Sequence, residues 1–128
     1  MLSSKISREL ENAYLNSIYK VFVRDKEIDL RIGKKSLEMD MVLEEFGFDN
    51  FAFLTAANPK STPKPESENR KRNTKLENEI IQKEFIFLSG IAQAQNGDWQ
   101  EKSFCILGID LKTAKAFAEK FEQNAFLY

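Results

Sequence analysis

Histidine is absent from this chain of 128 residues. That single absence excludes a Ser-His-Asp triad, a Cys-His pair and any His-ligated metal site. Cysteine is almost absent as well. Cys105 is the only one, so no internal disulfide can form, and its place in an apolar, strand-like run predicts a buried, inert thiol suited to a reducing compartment. Prolines are few and confined: Pro59, Pro63 and Pro65 mark one loop. An excess of charge is missing too. Nineteen basic and twenty acidic residues leave a net charge of -1, so the molecule as a whole has no field to steer it toward nucleic acid or an anionic membrane. No apolar run approaches the roughly 20 residues of a membrane helix, and the opening MLSSKISRELENAYL lacks the apolar core of a signal peptide. A soluble cytoplasmic protein is expected, with no membrane association. The acidic residues show no recognisable ligand spacing, so no metal site is expected.

What is present suffices for one domain over 1–128: 42% of residues are hydrophobic and eleven are Phe. Leu2, Ile6, Leu10, Tyr14 and Ile18 recur at helical spacing and predict an amphipathic helix that fades near Asn16. Tyr19–Arg24 and Ile28–Ile32 then read as a hairpin turning at Asp25-Lys26-Glu27, with Gly33 ending it. Ser36 is placed to cap a helix carrying Leu37, Met41, Phe46 and Val42 or Leu43, closed by Gly47. Phe51–Ala57 reads as a strand that Asn58-Pro59 breaks, and 59–67 as a mobile loop. Ser67 would cap a helix running to Gln82. Phe85–Ala92 and Lys102–Ile109 form a second hairpin about an Asn96-Gly97-Asp98 turn. Asp110 would cap a last helix with Leu111, Ala114, Phe117, Ala118 and Phe121 on its apolar face, and Ala125–Tyr128 would close the chain as a short strand. The order α-β-β-α-β-α-β-β-α-β predicts an α+β domain with one mixed sheet of five to six strands and helices packed on it.

Topology then predicts where function sits. A helix joining Phe51–Ala57 to Phe85–Ala92 makes those strands parallel, so their C-terminal ends share a sheet edge. The next strand starts at that edge, and the last helix ends there. Thr55, Asn58, Asn69, Arg72, Trp99, Glu101, Ser103 and Gln123 should therefore converge. Ligands of open α/β sheets bind at such an edge, where a helix N-terminus adds positive potential. Residues 60–75 carry six basic and two acidic side chains, which favours an anionic or nucleotide-like small ligand held by Thr55, Asn58, Asn69, Arg72, Trp99 and Gln123. Glu101 is the one credible general base, and Ser103 beside it a hydrogen-bond donor or nucleophile.

Each residue also has a purely structural role open to it. Asn58 before Pro59 can shape a turn, Asn69 can cap a helix, Trp99 can pack, Gln123 can close a helix end, and Arg72 can pair with Glu101. The competing functional reading is a protein- or nucleic-acid-interaction module using the basic 60–75 segment. The absence of a recognised nucleic-acid motif and a pI near 5.6 make nucleic acid unlikely.

Four motifs in order, Thr55-Ala56-Ala57-Asn58-Pro59, Glu68-Asn69 with Arg72 and Leu76, Trp99 with Glu101 and Ser103, and Gln123 with Ala125, resemble the bacterial family catalogued as domain of unknown function 3293. The resemblance spans about 14–128. It implies a soluble bacterial domain and supplies no activity. Two positions depart from the family pattern: Ala57, where a larger or aromatic residue is common, and Glu122, where Gly often precedes the Gln.

Overall fold

The computed structural model describes residues 17–94 and 99–128, so the predicted first helix and the 96–98 turn lie outside the described residues. Strand β1 (Ser17–Val23) is buried at alternate residues, as a strand covered mainly on one face requires. It pairs antiparallel with β2 (Lys26–Leu30) across a tighter turn than the sequence suggests. Val23 lies opposite Lys26, with Arg24 taking a positive φ of 55°. Ile18, grouped with the first helix by spacing, belongs to β1.

Helix α1 (Leu37–Phe46) begins as expected: the Ser36 hydroxyl accepts from Met39 N at 3.1 Å, and Gly47 ends the helix with φ 82°. Its buried face keeps Val42 and Leu43 of the expected set but not Leu37 or Met41. Met39, Val42 and Leu43 are buried, whereas Leu37 is 73% and Met41 69% exposed. Once Ser36 fixes the helix start, steps of three and four from Met39 reach the core and the phase through Leu37 and Met41 points outward.

Strand β3 (Phe51–Leu54) stops three residues earlier than predicted. After the short Pro59–Ser61 turn comes α2 (Glu66–Gln82), whose N-cap position is held by Pro65 rather than Ser67, with the first helical bond from Asn69 N to Pro65 O. Strands β4 (Ile86–Ala94) and β5 (Gln100–Leu107) and helix α3 (Leu111–Lys120) complete the described elements. Asp110 occupies the N-cap of α3 without a side-chain capping bond. The predicted closing strand is reduced to one bridge, Phe53 to Leu127.

The fold is α+β, with one five-stranded sheet in the order β2-β1-β4-β5-β3. The sheet is antiparallel throughout rather than mixed. The reason is that β5 inserts between β3 and β4, so these two run in the same direction without touching. Their C-terminal ends and the start of β5 still meet at one edge. One core layer joins α1 to Tyr19, Phe53, Cys105 and Leu107; the other joins α2 and α3 to Ala52, Phe104 and Ile106. Phe53 lies so close over Gly90 that a Cβ there would meet its ring at 2.7 Å, which requires glycine. Burial pushes the Cys105 thiol up to about 12, leaving it protonated and inert.

Candidate functional site

The segment 55–58 leaves the sheet at its edge and cannot satisfy its main chain through strand pairing, although Ala56 and Ala57 are buried. Side chains supply the partners instead. Ala56 N donates to Asn73 Oδ1 at 2.8 Å, and Ala56 O accepts from Arg72 Nε at 2.7 Å. Ala57 N donates to Thr55 Oγ1 at 3.1 Å, and Ala57 O accepts from Gln123 Nε2 at 3.0 Å. Asn58 N donates to Asn69 Oδ1 at 2.8 Å. The α2 face carrying Asn69, Arg72, Asn73, Leu76 and Ile80 thus changes task along its length. Its late residues pack on the sheet, and its early ones bond a non-repetitive buried backbone.

Asn58 is the most constrained residue of the segment. Its φ of 47° and ψ of 64° lie in the left-handed region, disfavoured for a side-chain-bearing residue and further disfavoured before proline. Its carboxamide is used at both ends. Oδ1 accepts from Asn69 Nδ2 at 2.8 Å and Lys64 N at 3.0 Å, while Nδ2 donates to Glu101 Oε2 at 2.7 Å. A strained conformation held by this many bonds aims one amide at one carboxylate.

Glu101 is half-buried, and that burial raises its carboxyl above the ordinary range, with the Asn58 hydrogen bond opposing the rise. Its Oε1 has no hydrogen-bond partner among the described residues. Because the folded chain holds the Glu101 proton more tightly than the unfolded chain, this group favours folding at acid pH. That contribution is lost as pH rises through the raised value. Glu101→Gln keeps an acceptor for Asn58 and removes the desolvated charge. It should match the wild type in urea denaturation at about pH 4 and exceed it at pH 7.

Two concavities meet at Glu101. One, of about 30 Å³, is lined by Thr55, Trp99, Glu101, Ser103, Gln123 and Ala125 over a floor that includes Tyr19 and Phe53. The other is a groove of about 790 Å³ between the first half of α2 and the sheet, lined by Asn58, Lys64, Asn69, Arg70, Asn73 and Lys102 among others. Arg72 lines neither. Its Nη2 donates to Phe121 O at 2.6 Å, at the C-terminal end of α3, and Glu122 lies 4.0 Å away. The Arg72–Glu101 pair open to the sequence does not form; each has taken a different partner. Gln123 closes the end of α3 by donating to Phe121 O at 3.1 Å and also lines the small cavity. Ser103 is fully buried, and its hydroxyl donates to Glu101 O at 3.1 Å. Among the described residues, no group of three His, Cys, Asp or Glu could hold a metal ion, and no helix is long and apolar enough to cross a membrane.

Sequence reasoning missed Asn73 as a functional partner. The signal was its phase, which Asn73 shares with Leu76 and Ile80 as readily as Arg72 does, and it is 5% exposed.

These motif residues, now seen joined at one edge, fall within a match over residues 54–126 to the family described as "Protein of unknown function (DUF3293)". The chain belongs to this family. Comparison with curated proteins and with solved structures gave no match. The DUF3293 match runs from the last residue of β3 to six residues past the end of α3, and so takes in every side chain that bonds the 55–58 segment. Glu122, where the resemblance leads to an expectation of Gly, has a φ of 57°. That is the conformation glycine adopts without steric cost. Glu122→Gly relieves left-handed strain of about 1–2 kcal/mol, but glycine's added chain entropy and the loss of a carboxylate 3.9 Å from Lys60 and 4.0 Å from Arg72 oppose it, so the net change should stay within about 0.5 kcal/mol. Urea midpoints of the two proteins check this.

Proposed function

We propose that this chain is a bacterial cytoplasmic protein that binds a small polar ligand at the sheet edge around Glu101. The observation that carries the reading is Asn58, held in a left-handed conformation and bonded to Glu101 at 2.7 Å, beside a carboxylate oxygen left open. The groove is large enough for a nucleotide-sized molecule, and Lys64 and Lys102 on its lining offer countercharge to an anionic group. Thr55, Asn69, Trp99 and Gln123 serve as walls and positioning groups. Arg72 serves the site by fixing the backbone, since two of its nitrogens are taken by main-chain carbonyls.

The interaction-module reading has less support. Two of the exposed cations it needs already face acids: Arg70 lies 3.3 Å from Glu66 and Lys60 lies 3.9 Å from Glu122. A thermal-shift screen of nucleotides, sugar phosphates, carboxylates and amines tests the proposal. A stabilising compound should lose its effect on Glu101→Gln and keep it on a charge reversal of Lys60 and Lys71. The opposite pattern would favour the module.

A further inference from the structure

The small cavity beside Glu101 has a chemistry distinct from that of the groove. Its rim consists of half-buried Thr55, Trp99, Glu101, Gln123 and Ala125, and none of the described residues lining it is basic. Glu101 Oε2 is occupied by Asn58, while Oε1 accepts no bond among the described residues. Gln123 spends its amide nitrogen on Ala57 O and Phe121 O, and its carbonyl oxygen accepts no bond among the described residues. Trp99 brings a ring N–H, the Thr55 and Ser103 hydroxyls are spent on Lys102 O and Glu101 O, and the polar lining otherwise includes acceptor oxygens and one carboxylate. The ring of Trp99 adds an electron-rich wall.

We propose that this cavity is a recognition site for the primary ammonium head of a small amine, with Glu101 Oε1 and Gln123 Oε1 as acceptors and Trp99 as the aromatic wall. The assignment deepens the Glu101 site proposed above and rests on it. An ammonium group brings three N–H donors and a positive charge, which answers two unmatched acceptors in a setting without a cation of its own. Hydrogen bonding adds selectivity, because a tetramethylated nitrogen carries the charge but has no N–H to give the two acceptors.

Trp99 is the only tryptophan in the chain, so its fluorescence reports on this rim directly. Wild-type protein is titrated with propylammonium chloride, tetramethylammonium chloride and sodium propionate. Propylammonium alone should give a saturable change, and Glu101→Gln should weaken it by about tenfold or more, the loss of a charged hydrogen bond. A saturable response to propionate, an equal response to tetramethylammonium, or unchanged propylammonium binding by Glu101→Gln would overturn the assignment. The three-salt comparison on the wild type decides the matter even where the variant folds poorly. If propylammonium fails while another compound stabilises the wild type and not Glu101→Gln, the ammonium assignment falls and the Glu101 site stands. If no compound shows Glu101-dependent binding, both fall.

Discussion

Arg72→Ala should destabilise the protein by about 3 kcal/mol, because it removes charge-assisted bonds to two carbonyls and leaves Ala56 O in a buried setting without a donor. The side chain is only 22% exposed, so water cannot fully replace it. Arg72 also ties three chain segments together: the 55–58 segment, α2 and the end of α3. Arg72→Lys should recover only part of the loss, since one ammonium cannot reproduce two diverging guanidinium bonds. Equilibrium urea denaturation of both variants reads these differences. A loss under about 1 kcal/mol for Arg72→Ala would mean that the two bonds are solvated substitutes rather than anchors.

Asn58→Ala should cost about 2–3 kcal/mol, from three side-chain hydrogen bonds and from a left-handed backbone that alanine adopts less readily than asparagine. Asn58→Gly separates these causes, because glycine accepts the conformation and still lacks the carboxamide. Both variants should also move Glu101 further above the ordinary carboxyl range, since the bond that opposes its rise is lost. Carbon-detected NMR titration of the Glu101 carboxyl would follow that shift. A shift in the alanine variant alone would assign the effect to backbone displacement rather than to the lost amide.

Much of the fold was legible because local rules and tertiary packing agree in it. Ser36 and Gly47 bound α1 by capping chemistry. Where the reading failed, a non-local choice decided. The Leu37 and Met41 phase matched a helix as well as Met39 and Val42 did, and only packing against β1 and β2 selects the buried set. The parallel direction of β3 and β4 followed from the intervening helix, yet the insertion of β5 between them depends on pairing that periodicity does not encode.

The convergence at the sheet edge was legible for the same reason, since it needs strand directions rather than strand order. The role of Arg72 was not. A cation at the polar end of an amphipathic face reads as a ligand clamp until the carbonyls of Ala56 and Phe121 are seen in front of it. Its charge therefore supports the loop, and the electrostatic character at the edge passes to Glu101.

Amide chemical-shift mapping with the strongest stabiliser from the compound screen decides whether a ligand seats against Glu101. Saturable shifts are expected at Thr55, Asn58, Trp99, Glu101 and Gln123, and none of these in Glu101→Gln. Shifts confined to Lys60, Arg70 and Lys71, with this edge unmoved, would contradict that seating.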